Sequence, residues 1–596
     1  MSKILDYEEM LELLNSLDKN IIVEHKPIGY TDFGTPIPYY TYGNGDKHIV
    51  VTAGTHSVEL ITNIFVINLM KKLACKEISI DKDKYTIHFI PIYNPDGTII
   101  CTSAIRKLLN KDIPNAGLME QLLCVQYYLN SRTDDYYAVN NDDKGNKLVN
   151  EMFKFVTPDD ISDKYSKLRE SVAKIIKDNN LPRGIMINWS SNGNGVDLNS
   201  NIDCGEYFER FKKEESEYPK LRYNQVNMFK VGPIGCPSIT KEFREEPENT
   251  AFLKFLSDLK EKHNVIGSFI YHACGGTVHY LDFMKEKNYW VSDYGIRDII
   301  YNRSVASNYA EKSNYKLYKP TTYTTFCSRI RSLVPGSLVV ELSKLRSNPL
   351  SQFIDIDISN LVGKDLKGEL SSLSNNYTNT INANIKAFVS TIDVMANEFD
   401  KYRYNILVNK DNICPDNLNY KIVDVNSRYS ANRKAEEQTF KSFIEFKRFA
   451  LENGYDIDIE SGYRSKEYQE KVFEDCVKEK GLAYAQKYVA MSGYSEHETG
   501  LAIDVCLKVQ DKFLIEHDLP QDLNEFLKNN AYKYGFIIRY PLGKETITGY
   551  NFEPWHLRYV GKELAKYIDS NNLTLEEYYE KIKEDSHWLV NLFKLN

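Results

Sequence analysis

The chain has 596 residues, more than one ordinary hydrophobic core accommodates, so two or more domains are expected. Hydrophobic residues make up 42% and charged residues 27%, which excludes a disordered protein. The formal net charge is −8, with Lys and Arg dispersed among Asp and Glu and no basic run or zinc-finger spacing, so nucleic acid is excluded as an expected partner.

The opening stretch "MSKILDYEEMLELLNSLDKN" reads as an acidic amphipathic helix. It lacks the basic start, apolar run and small-residue cleavage site of a secretory signal. No apolar stretch reaches the length that crosses a bilayer, so no membrane span is expected. The ten cysteines stand singly without a CxxC pair, which fits reduced thiols better than a disulfide framework. Together these features predict a cytoplasmic location.

From residue 47 the chain alternates strand-like and helix-like stretches. "KHIVVTAG" is a β-branched run, and "SVELITNIFVINLMKKL" follows with helical spacing. "YTIHFIPIYNPDGT" reads as a strand closed by an Asn-Pro-Asp-Gly turn. "VIGSFIYHACGG" and "GSLVVELS" are two further short apolar runs. This alternation predicts an α/β domain with a mostly parallel mixed sheet and flanking helices. Residues 105–180 are polar and helix-biased and read as an insertion. The texture changes between 366 and 420, where a Ser/Asn-rich stretch leads into a helix and then a turn-rich segment. The domains are therefore placed at 1–398 and 399–596, with no internal repeat.

In the first domain "TAGTHSVE" ends a strand and opens a helix. His56 and Glu59 stand three apart, so a first helical turn could aim both at one point. His272 could add a third metal ligand from the end of a later strand. Glu341, at the end of another, suits general base work. His279 is expected to be a strand residue rather than a ligand. These residues, with "YNPDG" and "GVDLNSN", resemble the zinc metallocarboxypeptidases of the carboxypeptidase A type, and more closely their bacterial relatives acting on γ-D-glutamyl-diamino acid bonds. The resemblance implies a His2Glu zinc site and a carboxypeptidase-like fold. It implies substrate contacts at Asn199 and Tyr323. It also exposes a departure: the family's carbonyl-polarising Arg falls on Asn194, and the Arg that holds the substrate's terminal carboxylate falls on Ser200. A neutral side chain cannot replace a planar bidentate cation without weakening carboxylate recognition. Arg329 or Arg331 is a candidate to compensate.

In the second domain His497 and Asp504 lie in "SEHETGLAID" and His556 in "FEPWHLRY", a His2Asp set that leaves room for water on a metal. Glu553 stands three residues before His556 and could move protons. Arg464 offers a fixed cation for an oxyanion. Trp555 is expected in the core, and Arg558, which could equally be a surface ion pair, is assigned no role. With "SGYRS" and "ITGYNFEPWHLRYVG", these residues resemble the VanY-like D-alanyl-D-alanine carboxypeptidases of LAS type. That resemblance implies a smaller α+β domain, zinc held by His497, Asp504 and His556, Glu553 as the catalytic carboxylate, and substrate contacts at Ser495 and Gln469.

The expectation for the whole chain is a two-headed zinc peptidase, one Zn2+ per domain, acting on peptidoglycan stem peptides or muropeptides. An alternative makes the first domain a wall-peptide binding module serving the second. A third makes the protein an endopeptidase used for lysis.

Overall fold

The computed structural model describes residues 5–110, 156–178, 186, 189–199, 201, 244–273, 275–280, 296–318, 326–343, 376–415, 418 and 420–581. The chain divides into two compact units, Met1–Ser292 with Asp298–Ala396, and Asp293–Arg297 with Asn397–Asn596.

The first unit contains β1 (Ile22–Glu24), β2 (Gly29–Tyr30), β3 (Pro36–Ile37), β4 (Tyr40–Tyr42), β5 (Lys47–Ala53), β6 (Tyr85–Ile90), β7 (Asn264–Ala273), β8 (Thr277–Tyr280), β9 (Lys316–Tyr318) and β10 (Leu338–Leu342). Eight of them form one mixed sheet in the order β1-β4-β6-β5-β7-β10-β8-β9. Its four central strands, β6, β5, β7 and β10, are parallel. They are buried on both faces, which is why their sequences are continuous apolar runs rather than alternating ones. Val50 and Ile270 face the helices Pro247–Lys262 and Phe326–Leu333, where they meet Phe252, Leu256 and Ile330. Their strand neighbours Phe269 and Tyr271 point the other way, onto Phe388 and Phe65. Burying each such side chain contributes about 1.5–3 kcal/mol.

Helix Tyr7–Asn15 carries a capping box between Asp6 and Glu9. Two local expectations are corrected. Helix Leu60–Ala74 has Glu59 at its N-cap, so His56 and Glu59 lie in the loop ahead of the helix and not in its first turn. The Asn-Pro-Asp-Gly stretch is not a turn: Pro95 opens helix Pro95–Asn110, and Asn94 caps it through Oδ1, which accepts from Gly97 N at 2.9 Å. Pro at the first helical position loses no hydrogen bond, and Asn is a strong cap. Residues 105–110 of the expected insertion continue that helix, and 111–155 lie outside the described residues. Helix Ser166–Asp178 then buries Leu168, Val172 and Ile175.

The second unit contains β11 (Ile422–Val425), β12 (Arg433–Glu436), β13 (Ile457–Ser461), β14 (Ala502–Val509), β15 (Lys512–Leu514), β16 (Phe536–Tyr540) and β17 (Glu553–Tyr559). Its main sheet runs β13-β14-β17-β16, antiparallel throughout, with β15 also paired to β14. Ile503, Val505 and Leu557 join Phe443, Phe446, Leu523 and Leu527 of the helices Glu437–Glu452 and Gln521–Asn530 in one core. The intervening Asp504 and His556 therefore project from the opposite face. The division between units falls inside helix Asn376–Tyr404, where Tyr404 already belongs to the second core. Among the described residues no helix is long and apolar enough to cross a membrane.

Candidate metal centres

Strand register assembles the second unit's site. Asp504 on β14 pairs directly with His556 on β17 and, on its other side, with Ser461 on β13. His497 arrives from the 3-10 turn Glu496–Thr499, which ends at Gly500 with φ 76°. The left-handed backbone at Gly500 favours glycine, and a side chain there would also have to displace the end of Ile422. In a regular strand Glu553 and His556 would face opposite sides. The β16–β17 register shifts between Ile538 and Tyr540, and Pro554 has no N–H to donate there, so both carboxylate and imidazole reach one side.

The ligand atoms of His497, Asp504 and His556 lie within 4.8 Å of one another. His497 Nε2 is 3.1 Å from Asp504 Oδ2, His556 Nδ1 is 3.2 Å from Asp504 Oδ1, and Glu553 Oε2 stands 3.8 Å from His556 Nδ1. Nδ1 of His497 is fixed by the Gly462 carbonyl at 2.7 Å. Arg464 lies beside the cluster, its Nη2 donating to Asp504 Oδ2 at 3.1 Å and to Ser461 Oγ at 2.8 Å. Both ends of the Gln469 amide are used internally, Oε1 accepting from Arg464 and Nε2 donating to the Ala490 carbonyl, so this side chain supports Arg464. Ser495 is buried immediately before the turn that carries His497. Burial pushes the Glu553 carboxyl up to about 8, with the Asp504 charge adding to it and His556 opposing it.

Loops assemble the first unit's site at the C-terminal ends of adjacent parallel strands, where open α/β sheets bind ligands. Gly54, with φ 74°, turns the chain out of β5 and leads to His56 and Glu59, while His272 ends β7. Glu341 on β10 is the register partner of His272. Ligand atoms of His56, Glu59 and His272 also lie within 4.8 Å of one another. Nδ1 of His56 is 2.8 Å from Glu59 Oε1, and Nδ1 of His272 is 3.0 Å from Glu59 Oε2. Behind the imidazoles, Asp197 Oδ1 lies 3.1 Å from His56 Nε2 and Cys327 Sγ lies 3.1 Å from His272 Nε2. Burial opposes charge on His56, but the Glu59 and Asp197 carboxylates win and raise its pKa to about 10. Burial raises the Glu341 carboxyl to about 7, with Glu59 pushing the same way and the two imidazoles opposing.

Both clusters suit a cation. Glu59 Oε2 and Asp504 Oδ1 are buried and lack a hydrogen-bond partner among the described residues, although each lies close to a ring nitrogen. Buried carboxylate oxygens left unpaired are costly, whereas donors crowding a shared point is the arrangement a metal needs. Two nitrogens and one carboxylate in each cluster match zinc's preferences.

Several sequence expectations meet a different environment. Arg558 is fully buried, with Nη1 donating to Glu496 Oε1 at 2.6 Å, so it is no surface ion pair. Asn194 donates its amide to Asp32 and Glu246, at 2.7 and 2.8 Å, and Asn199 accepts from Cys327 N at 3.2 Å. Arg331 is buried on helix Phe326–Leu333, close enough for its charge to help burial hold His279 down at about 4; Arg329 lies on the same helix. His279 lies on β8 and Trp555 in the second core. Tyr323 and Ser200 lie outside the described residues. Sequence reasoning missed Asp197, Cys327, Glu496 and Arg539. Asp197 sits inside the quoted "GVDLNSN" and Glu496 inside "SEHETGLAID", and both could have been found there; Cys327 and Arg539 carry no local signal.

The model of the zinc carboxypeptidase family matches residues 7–337, and that of D-alanyl-D-alanine carboxypeptidases matches 432–562. The putative carboxypeptidase YodJ of Bacillus subtilis (strain 168) is 50% identical over 135 residues, 23% of this chain and 50% of that protein. The bifunctional D-Ala-D-Ala dipeptidase and carboxypeptidase VanXYC of Enterococcus gallinarum is 42% identical over 131 residues, 22% of this chain and 69% of its own length. The chain thus spans about half of the Bacillus relative. A solved structure of VanYB in complex with D-alanine-D-alanine is similar at 33% identity, over 30% of this chain and 97% of that one, with a TM-score of 0.27. The chain belongs to the zinc carboxypeptidase family through its first unit and, through its second, to the D-alanyl-D-alanine carboxypeptidases.

Proposed function

We propose that this chain is a two-site peptidase of peptidoglycan stem peptides, holding one zinc ion in each unit. The observation that carries the reading is the convergence of His497, Asp504 and His556 on one point with Glu553 beside them. The relative from Enterococcus gallinarum is named for D-Ala-D-Ala substrates, and the second unit is assigned the same bond class. When bound, zinc supplies Lewis-acid polarisation of the scissile carbonyl and acidifies water. Glu553 takes a proton from the attacking water and returns it to the leaving amine. Arg464, held by Ser461 and Gln469, stabilises the negative charge that develops on the carbonyl oxygen. Ser495 contacts the substrate.

In the first unit Glu341 takes the proton-transfer role beside His56, Glu59 and His272, and Asn199 and Tyr323 border the substrate. The bond assigned to it is a γ-D-glutamyl or C-terminal peptide bond. A second reading is favoured by Asn194, whose amide is committed to Asp32 and Glu246 where the family places a polarising cation. In that reading the first unit holds a wall peptide without cutting it. Incubating the full chain, Glu553→Gln and Glu341→Gln with defined stem peptides, and mapping the cut bonds by mass spectrometry, tests both. Two products, each lost in one variant, support the two-site reading. One product insensitive to Glu341→Gln supports the binding module.

A further inference from the structure

The buried charges behind the second unit's cluster are unusually numerous. Glu496, between Ser495 and His497, is 2% exposed, and two arginines with no exposed surface grip its Oε1. Nε of Arg539 donates to that oxygen at 2.8 Å and Nη1 of Arg558 at 2.6 Å. Every other arm is accounted for. Arg539 also forks onto both oxygens of Glu576, at 2.6 and 3.0 Å, and Arg558 donates to the Ile406 carbonyl at 2.8 Å and the Tyr559 carbonyl at 3.2 Å.

One atom of this network is left over. Glu496 Oε2 is buried and lacks a hydrogen-bond partner among the described residues, and the same holds for Nε2 of His556. The two face each other at 3.7 Å, just beyond hydrogen-bond reach. The other ring nitrogen of His556, Nδ1, is the one turned toward Asp504 and Glu553. A neutral imidazole has one lone pair and one N–H. If Nδ1 gives its lone pair to a cation, Nε2 carries the proton and needs a buried acceptor. A structural ion cluster would satisfy itself and leave no oxygen turned toward the ring.

We propose that Glu496 is a positioning residue for His556: by closing the 3.7 Å gap its Oε2 accepts a hydrogen bond from Nε2–H, fixes the tautomer and ring plane, and strengthens Nδ1 as a metal donor. Arg539 and Arg558 keep the carboxylate ionised and immobile. Burial favours the neutral acid, but two guanidinium groups donating to one oxygen, at 2.8 and 2.6 Å, favour the charged carboxylate. The two histidines of the cluster are thus supported differently, His497 by a neutral carbonyl and His556 by an anion. Anionic support raises imidazole basicity and metal affinity.

This inference rests on the zinc reading of the second unit. The test is zinc titration of the metal-free full chain against a competing chromophoric chelator, for the unsubstituted protein, His497→Ala, Glu496→Gln and Glu496→Asp, with apo-chain melting measured alongside. The expected result is loss of one zinc in His497→Ala and about 10–100-fold weaker binding of that same zinc in both Glu496 variants. The first unit's zinc should be unaffected and gives an internal standard. Glu496→Asp keeps a charge for both arginines but withdraws from the ring, so its apo fold should survive even if Glu496→Gln unfolds. In zinc-saturated protein kcat should fall with little change in KM. Zinc affinity equal to that of the unsubstituted chain in folded Glu496→Asp overturns the proposal, as does weakening seen only together with loss of the apo fold. Stoichiometry unchanged by His497→Ala overturns the zinc reading itself, and this inference with it.

Discussion

The two candidate metal clusters offer the same kind of donor set, two imidazoles and a carboxylate, on different backbones. In the second unit Asp504 and His556 sit opposite each other on hydrogen-bonded strands, so the sheet register itself sets their separation. In the first unit two of three ligands lie in the loop between Gly54 and helix Leu60–Ala74. That loop is held from outside: Asp197 braces His56, and Ser57 Oγ donates to the Trp189 carbonyl. A strand-borne site needs little but the ladder, whereas a loop-borne site depends on distant side chains. The supports differ as well. The second cluster has Arg464 beside it as a cation, while the corresponding family position in the first, Asn194, faces Asp32 and Glu246.

The largest expected effect tests whether both clusters are catalytic. Glu553→Gln should lower kcat on a peptide ending in D-Ala-D-Ala by about 10²–10⁴-fold with zinc content unchanged, read by product chromatography and elemental analysis. Glu341→Gln should do the same to the other product, and a normal yield there would break the parallel between units. Next comes the cation. Arg464→Ala should cost about 10²-fold or more in kcat, and Asn194→Ala less than about tenfold, because its amide points to carboxylates. Equal losses in the two variants would remove the asymmetry.

Acid separates the units in another way. Tyr39 OH, His88 and His48 form a buried hydrogen-bonded row, with His88 Nδ1 2.7 Å from the hydroxyl and His88 Nε2 2.8 Å from His48 Nδ1. Burial first, and then the neighbouring His263, lower His48 from 6.5 to about 4. The unfolded chain therefore binds more protons below 6.5. The stabilisation is complete above that pH and is lost as pH falls through about 4, a change on the order of 2–3 kcal/mol for His48 alone. Hydrogen exchange at pH 7 and 4.5 should show the first unit's sheet loosening, and His48→Gln should reduce the difference; equal protection at both pH values would refute this. The smallest effect concerns Cys327. Cys327→Ser replaces a weak sulfur partner of His272 by a hydroxyl, and the first zinc's affinity should shift by less than about tenfold in the same chelator competition.

Much of this was legible in the residues. The central strands announced themselves as β-branched runs, and the two HxxE and SxHxxGxAxD stretches named ligands that the fold then brings together. What misled was short-range reasoning. The spacing of His56 and Glu59 fits a helical turn, yet helix Leu60–Ala74 starts one residue later because the chain must first leave the sheet through Gly54. Arg558 looked like any charged residue between Leu557 and Tyr559, and its buried partner is Glu496, sixty-two positions away. Nothing local in the sequence ties the Gln469 amide to Arg464 and to the Ala490 carbonyl.

Sequence alone determined the two domain types, and it named six candidate ligands and two candidate proton-moving carboxylates, because residue identity and local pattern are written in nearby residues. Only tertiary structure decided which ring nitrogen of each histidine faces the carboxylate, how Arg464 is held, and that Glu496, Arg539 and Arg558 lie behind His556. Those facts depend on groups far apart in the chain meeting in a water-excluded interior, where each buried charge must find its partner.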